Sequence, residues 1–141
     1  MSEWKQDKFS SVATILMGQS PSGETCNTKG DGVPLLNGPT EFGIKYPTPV
    51  QYTLDPKKCC DLNDILFCVR GSTTGRMNWA NQPFAIGRGL AALRHKSGKA
   101  YQYFLKGLID YHLPSLLQSA SGSTFPNVSG SDLANLEIVI P

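Results

Sequence analysis

The sequence predicts an α+β domain, a twisted, mostly antiparallel sheet with flanking helices and long loops. Three observations carry that expectation. Ten prolines and fourteen glycines are scattered along 141 residues, so they punctuate many short elements instead of forming one linker. Apolar runs up to about residue 95 have strand length, and from Lys99 the apolar period becomes helical. With 40% hydrophobic residues, residues 1–141 suit a single compact domain, which at this size buries roughly two-thirds of its unfolded surface.

The elements follow in order. Residues 9–17 form a short apolar element that stops at the turn cluster Gly18-Gln19-Ser20-Pro21-Ser22-Gly23. Residues 33–38, VPLLNG, read as a strand. Pro34 cannot donate to a ladder, so this strand should begin at, or lie on, a sheet edge. A polar stretch with Pro39, Pro47, Pro49 and Pro56 reads as a long surface excursion. Residues 65–69, ILFCV, are continuously apolar between Asn63-Asp64 and Gly71, the pattern of a central strand buried on both faces. The loop RGSTTGR, 70–76, leads to a hairpin partner at 77–80, and 84–86 with 90–93 add strand material around Gly87-Arg88-Gly89.

Tyr101, Phe104, Leu105, Leu108, Ile109 and His112 then recur at helical spacing, with the Phe104–Ile109 face as core and His112 as a hydrogen-bonded core residue. Pro114 should interrupt this helix near Leu113, with a second short helix through Leu116-Leu117. Residues 121–127 are a loop by composition. Ser129 with Asp132 three residues on approximates a capping box, and 136–140, LEIVI, is a last strand.

Charge is strongly polarised. Residues 65–109 contain Arg70, Arg76, Arg88, Arg94, Lys96, Lys99 and Lys106 and no acid, while the two flanks are net acidic. The formal net charge of +2 therefore conceals a basic block, which attracts polyanions or else stands as a solvated face.

Other chemistries lack their residues. Gly71 to Arg76 resembles a phosphate-cradling loop superficially, but a P-loop needs one more residue between its glycines and a terminal Lys-Ser/Thr. There is no GxGxxG and no methyltransferase Asp/Asn-Pro-Pro-aromatic motif, and the SxxK string Ser2-Glu3-Trp4-Lys5 sits at the extreme N-terminus. A pair of Cys68 with His95 or His112 is the one nucleophile arrangement left open, and neither catalytic residues nor cofactors are expected. Cys26, Cys59, Cys60 and Cys68 have no CxxC spacing, so no metal is expected and the thiols read as reduced and mostly buried. Cys68, inside the most apolar run, reads as inert packing. The N-terminus lacks the basic and apolar regions of a signal peptide, and no run is long enough to span a bilayer. A cytoplasmic protein without membrane contact is the expectation.

Four segments in order carry a resemblance: GQSPS at 18–22, GVPLLNG at 32–38, DILFCVRGSTTGR at 64–76, and GSTFPNVS at 122–129, followed by Asp132-Leu133 and IVIP at 138–141. Together they resemble a target recognition domain from the specificity subunit of type I restriction-modification systems, over nearly the whole chain. The resemblance implies a non-catalytic domain that grips double-stranded DNA and reads one half of a split target. Its implied partners are methyltransferase subunits and, through them, restriction subunits. The family plan has two such domains separated by long helices. Residues 1–141 hold one domain and no spacer helix, so the chain is expected to be an excised domain or half of a subunit. Phe125 stands where a polar residue is expected, and its ring could stack or pack there.

The candidate DNA contacts are Arg70, Ser72, Thr73, Thr74, Arg76, Asn78, Arg88, Lys96, Lys99, Ser123, Thr124 and Phe125. Gly71 and Gly75 permit close backbone approach or simply make a tight hairpin; one loop can do both. Ser72, Thr73 and Thr74 can bond phosphates or base edges. Arg76 and Arg88 have the planar fork that fits guanine or two phosphate oxygens. Asn78 could read adenine; Asn81, beside Gln82-Pro83, reads as a turn former, and Trp79 as packing. Lys96 and Lys99 are phosphate contacts or solvated charge. The competing reading is a protein-interaction module whose basic patch docks an acidic partner protein.

Overall fold

The structure, a computed structural model, describes residues 4–119 and 127–140. It is α+β in three layers. One four-stranded sheet has the order β2-β9-β6-β7 and a second has the order β3-β5-β4-β8. Their strands are β2 (Ala13–Met17), β3 (Cys26–Asn27), β4 (Val33–Leu36), β5 (Gln51–Thr53), β6 (Ile65–Cys68), β7 (Met77–Trp79), β8 (Ala85–Ile86) and β9 (Leu90–His95). β1 (Lys5–Lys8) and β10 (Glu137–Ile140) make a separate antiparallel ribbon. Among the described residues every strand pairing is antiparallel except β4 with β8.

The central sheet is buried on both sides, which is why β6 reads as an unbroken apolar run. Its side chains alternate between two cores. Ile65, Phe67 and Val69 pack with Phe9, Ala91, Leu93, Leu105, Ile109 and Leu116, under helix α1 (Gln102–Ser119). Leu66 and Cys68 pack the opposite way with Leu36, Phe42, Phe84, Ile86, Leu90 and Ala92, against the second sheet. The order is helix, central sheet, second sheet.

Several elements differ from the sequence reading. Helix α1 runs through Pro114 without a break. Proline costs the backbone bond its missing N–H would make, but Leu113, Leu116 and Leu117 on either side pack on the core and hold the helix together. β4 is interior to its sheet, between β5 and β8, rather than on an edge. β8 reaches only Leu35 and Leu36, so Pro34 lies past the end of that ladder. The apolar element at 9–17 divides into a 3-10 turn at Phe9–Ser11 and β2. The excursion after residue 38 contains β5. Phe104 is exposed rather than core, Tyr101 is exposed as well, and half-buried His112 sits edge-on to Tyr111. Cys60 and Cys68 are buried as expected, but Cys59 is exposed and Cys26 half-buried; all four thiols are free. The capping box of helix α2 (Gly130–Ala134) is complete. Ser129 Oγ accepts from the Asp132 N–H at 3.0 Å, and Asp132 Oδ2 accepts from the Ser129 N–H at 2.9 Å.

Candidate nucleic-acid interface

Antiparallel pairing places particular strand ends side by side. Cys68 pairs with Leu90, Met17 with Ala91 and Phe67 with Met77. The loops at 18–20, 69–76 and 87–89 therefore leave the central sheet at one edge. The parallel pairing of Leu36 with Ile86 brings the loop at 37–39 to the same place.

Backbone hydrogen bonds then lock these loops to one another. Gly18 donates to Leu90 O at 2.9 Å, Gln19 to Ile86 O at 3.0 Å, Gly87 to Leu36 O at 2.8 Å and Gly89 to Asn37 O at 3.2 Å. Val69 donates to Gly89 O at 3.0 Å, and Val128 to Val69 O at 2.8 Å. The Arg88 N–H donates to Ser20 Oγ at 3.2 Å. Only glycine fits where these loops cross. A Cβ on Gly18 would collide with the Gly87 carbonyl oxygen, and one on Gly89 would stand 2.5 Å from Asn37 O.

Three arginines rise from this edge. Arg70 and Arg88 are exposed, and their side chains make no hydrogen bond or ion pair among the described residues. They line one cleft of about 420 Å³ with Ser20, Asn37, Gly38 and Gly89. Arg76 is exposed, its guanidinium carbon 5.9 Å from the centre of the Phe42 ring. The loop beneath them turns through Gly71 (φ 90°) and Gly75 (φ 99°), in the left-handed region. Ser72 and Thr73 are exposed at its tip; Thr74 is half-buried and donates to Gly71 O at 2.7 Å. Glu41 lies near Asn37. Burial raises the pKa of its carboxyl, and the N–H groups of Asn37 and of Glu41 itself offset part of that rise.

The rest of the basic block is elsewhere. Arg94 forms a bidentate pair with buried Asp64, at 2.7 Å from Nε and 2.8 Å from Nη2, and Nη2 also meets Asp61 at 3.0 Å. That hydrogen-bonded pairing, more than the charge itself, raises the Arg94 pKa. Lys106 pairs with Asp110 at 2.7 Å. Lys96 and Lys99 follow the far end of β9, which alone spans about 17 Å. They are exposed on the edge opposite the three arginines, so one basic block in sequence becomes two separate groups in space.

Asn78 departs most from its expected place. It is buried at 4% exposure, with both ends of its amide committed to Gly43. It therefore cannot read a base. Ser123, Thr124 and Phe125 lie outside the described residues. Sequence reasoning missed Ser20 and Asn37 as cleft residues, although both stand inside segments that carried the resemblance. Among the described residues no cluster of three or more His, Cys, Asp or Glu side chains could hold a metal, and no helix is long and apolar enough to cross a membrane.

The family described as "Type I restriction modification DNA specificity domain" matches residues 1–141. A Methanocaldococcus jannaschii protein, described as the MjaX type I restriction enzyme specificity subunit, is 39% identical over 127 residues, 90% of this chain and 30% of that protein. The HsdS subunit from Thermoanaerobacter tengcongensis superposes with a TM-score of 0.82 at 35% identity, over 98% of this chain and 33% of that one. A chain from a study of assembly and conformational transition of the type I R-M system gives a TM-score of 0.83 at 37% identity, over 98% and 34%. A type I restriction-modification S subunit from M. genitalium shares the fold at 22% identity and a TM-score of 0.57. This chain spans about a third of the length of these relatives. It belongs to the family of type I restriction-modification DNA specificity domains.

Proposed function

We propose that this chain binds duplex DNA as one target recognition unit of a type I specificity subunit, through the edge that carries Arg70, Arg76 and Arg88. It reads one half of a split target and brings methyltransferase subunits, and through them restriction subunits, to that site. It is a specificity component without catalytic residues of its own. One observation carries this reading: three arginines stand free of ion pairs among the described residues on one edge, where four loops are bonded together. Charges presented this way favour a polyanion, and the bonded loops leave only the side chains to be ordered on binding it. Ser72 and Thr73 supply hydroxyl donors beside them. Ser123 and Thr124 remain candidate contacts, with the Phe125 ring as a stacking or packing group.

A domain exchange tests the reading. Residues 1–141 are grafted in place of the matching domain of a specificity subunit whose split target is known, and genomic methylation is mapped. One half of the methylated motif should change and the other half persist. A motif unchanged in both halves contradicts the proposal.

The competing reading, docking of an acidic partner protein, draws on the opposite edge. A cavity of about 340 Å³ there is lined by Lys45, Tyr46, Trp79, Lys99 and Tyr103. Protein capture that is insensitive to competitor duplex and abolished by changes at Lys45 and Lys99 would favour it.

A further inference from the structure

We propose that Arg70 and Arg88 close on one and the same DNA backbone phosphate, with Ser20 as a third donor, so that this cleft sets the register of the duplex. The inference rests on the DNA reading of the arginine edge and assigns a division of labour within it.

Arg70 and Arg88 line a single cleft that has no acidic residue among those lining it. Neither side chain is ion-paired among the described residues, so both charges are available to an anion that enters. Their roots are fixed to each other. Val69, which precedes Arg70, donates to Gly89 O, which follows Arg88, at 3.0 Å. Ser20 Oγ accepts the Arg88 N–H at 3.2 Å, and its own hydroxyl hydrogen stays free to donate.

The remaining wall offers little to a base edge. Asn37 Nδ2 donates to Gln51 Oε1 at 2.8 Å, and Asn37 Oδ1 faces the Gly87 backbone. Gly38 and Gly89 contribute backbone alone. Reading guanine takes one planar fork against two in-plane acceptors, whereas two guanidiniums with a hydroxyl suit a tetrahedral oxyanion. Phosphate contacts of this kind fix orientation and carry no sequence information themselves.

Neutral methylphosphonate linkages test the clamp. The full-length protein is titrated with its methylation-mapped target duplex, one linkage neutralised at a time. For the wild type one linkage should cost about tenfold in affinity, the scale of a charge-assisted hydrogen-bonded contact. Arg70→Ala and Arg88→Ala should each lose that sensitivity at the same linkage, and Ser20→Ala should reduce it there. If the two arginine variants lose sensitivity at different linkages, the shared phosphate is wrong while the DNA edge stands. If both bind every duplex as the wild type does, the DNA reading of this edge falls as well. Binding of inorganic phosphate at the cleft with no linkage-specific loss would make it a free-anion pocket and overturn the proposal. Arg70→Gln and Arg88→Gln repeat the comparison should an alanine variant unfold.

Discussion

Asn78 holds Gly43 by both ends of its side-chain amide: Oδ1 accepts the Gly43 N–H at 3.1 Å, and Nδ2 donates to Gly43 O at 3.0 Å. Beside this pair the Trp79 N–H donates to Lys45 O at 2.8 Å. The segment after residue 39 is thus fastened along the open edge of β7, and Phe42 is held where the Arg76 guanidinium lies over its ring. An asparagine that looks like a DNA reader in the sequence instead braces the segment that holds Phe42 beside Arg76.

Asn78→Ala should therefore destabilise the fold by about 1–3 kcal/mol, because Gly43 keeps two backbone groups without partners. Urea unfolding measures the loss. DNA affinity should fall by less than it does for Arg76→Ala, since the damage reaches Arg76 only through Phe42.

The loop crossing allows a sharper test. Gly18→Ala should destabilise by more than about 2 kcal/mol, since a methyl group there meets backbone, which cannot move aside as a side chain can. Gly23→Ala, where nothing lies within 4 Å, is the control and should leave the melting temperature almost unchanged. Equal melting temperatures for the two variants would deny the close crossing.

His95 gives stability a pH dependence. Its ring stacks on Tyr101 with centroids 4.9 Å apart, and Nδ1 accepts the Ser97 N–H at 2.9 Å. Burial lowers its pKa. The unfolded chain takes a proton near the ordinary histidine value of about 6.5, while the folded chain resists it. In that window the unfolded state binds more protons, so stability rises with pH. The contribution is full above the unfolded value and is lost as pH falls through the lowered folded one. Urea midpoints across this range should drop less steeply for His95→Gln than for the wild type. Identical slopes would remove His95 from the account.

Arg76→Ala should weaken binding of the assembled enzyme to its cognate site more than Lys57→Ala or Lys58→Ala, which lie outside the basic block. If Arg76 contacts a base, the loss should be about 1–3 kcal/mol and should relax preference at one position. If it holds a phosphate, binding should weaken evenly across sequences and the salt slope should fall by about one unit. Cognate and single-mismatch duplexes at two salt concentrations separate the two outcomes.

What the sequence makes legible is local. The run at 65–69 announces a strand buried on both faces, because continuous apolarity leaves no polar side for water. The Ser129–Asp132 cap and the glycine turns at 71 and 75 are local as well. What stays hidden depends on distant partners. β1 is four exposed residues, KQDK, with no strand signature, and it forms because β10 pairs with it from the other end of the chain. Pro114 argues against a continuous helix until the core contacts around it are known. Arg94 looks as free as Arg88 in the sequence, and only the fold brings Asp64, thirty residues away, against it. The candidate contacts sort by the same rule: composition identifies the basic block, and three-dimensional pairing decides which of its members remain free.

The central claim is that DNA meets the arginine edge. The most direct measurement is fluorescence anisotropy with labelled duplex across a salt series, comparing two triple variants of the full-length protein. Arg70, Arg76 and Arg88 are changed to alanine in one, and Lys45, Lys96 and Lys99 on the opposite edge in the other. The arginine triple should lose most of its low-salt affinity, with the slope of log K against log salt falling by about one to two units. The lysine triple should bind as the wild type does. Retained affinity in the arginine triple together with loss in the lysine triple would place the duplex on the other edge and contradict the account.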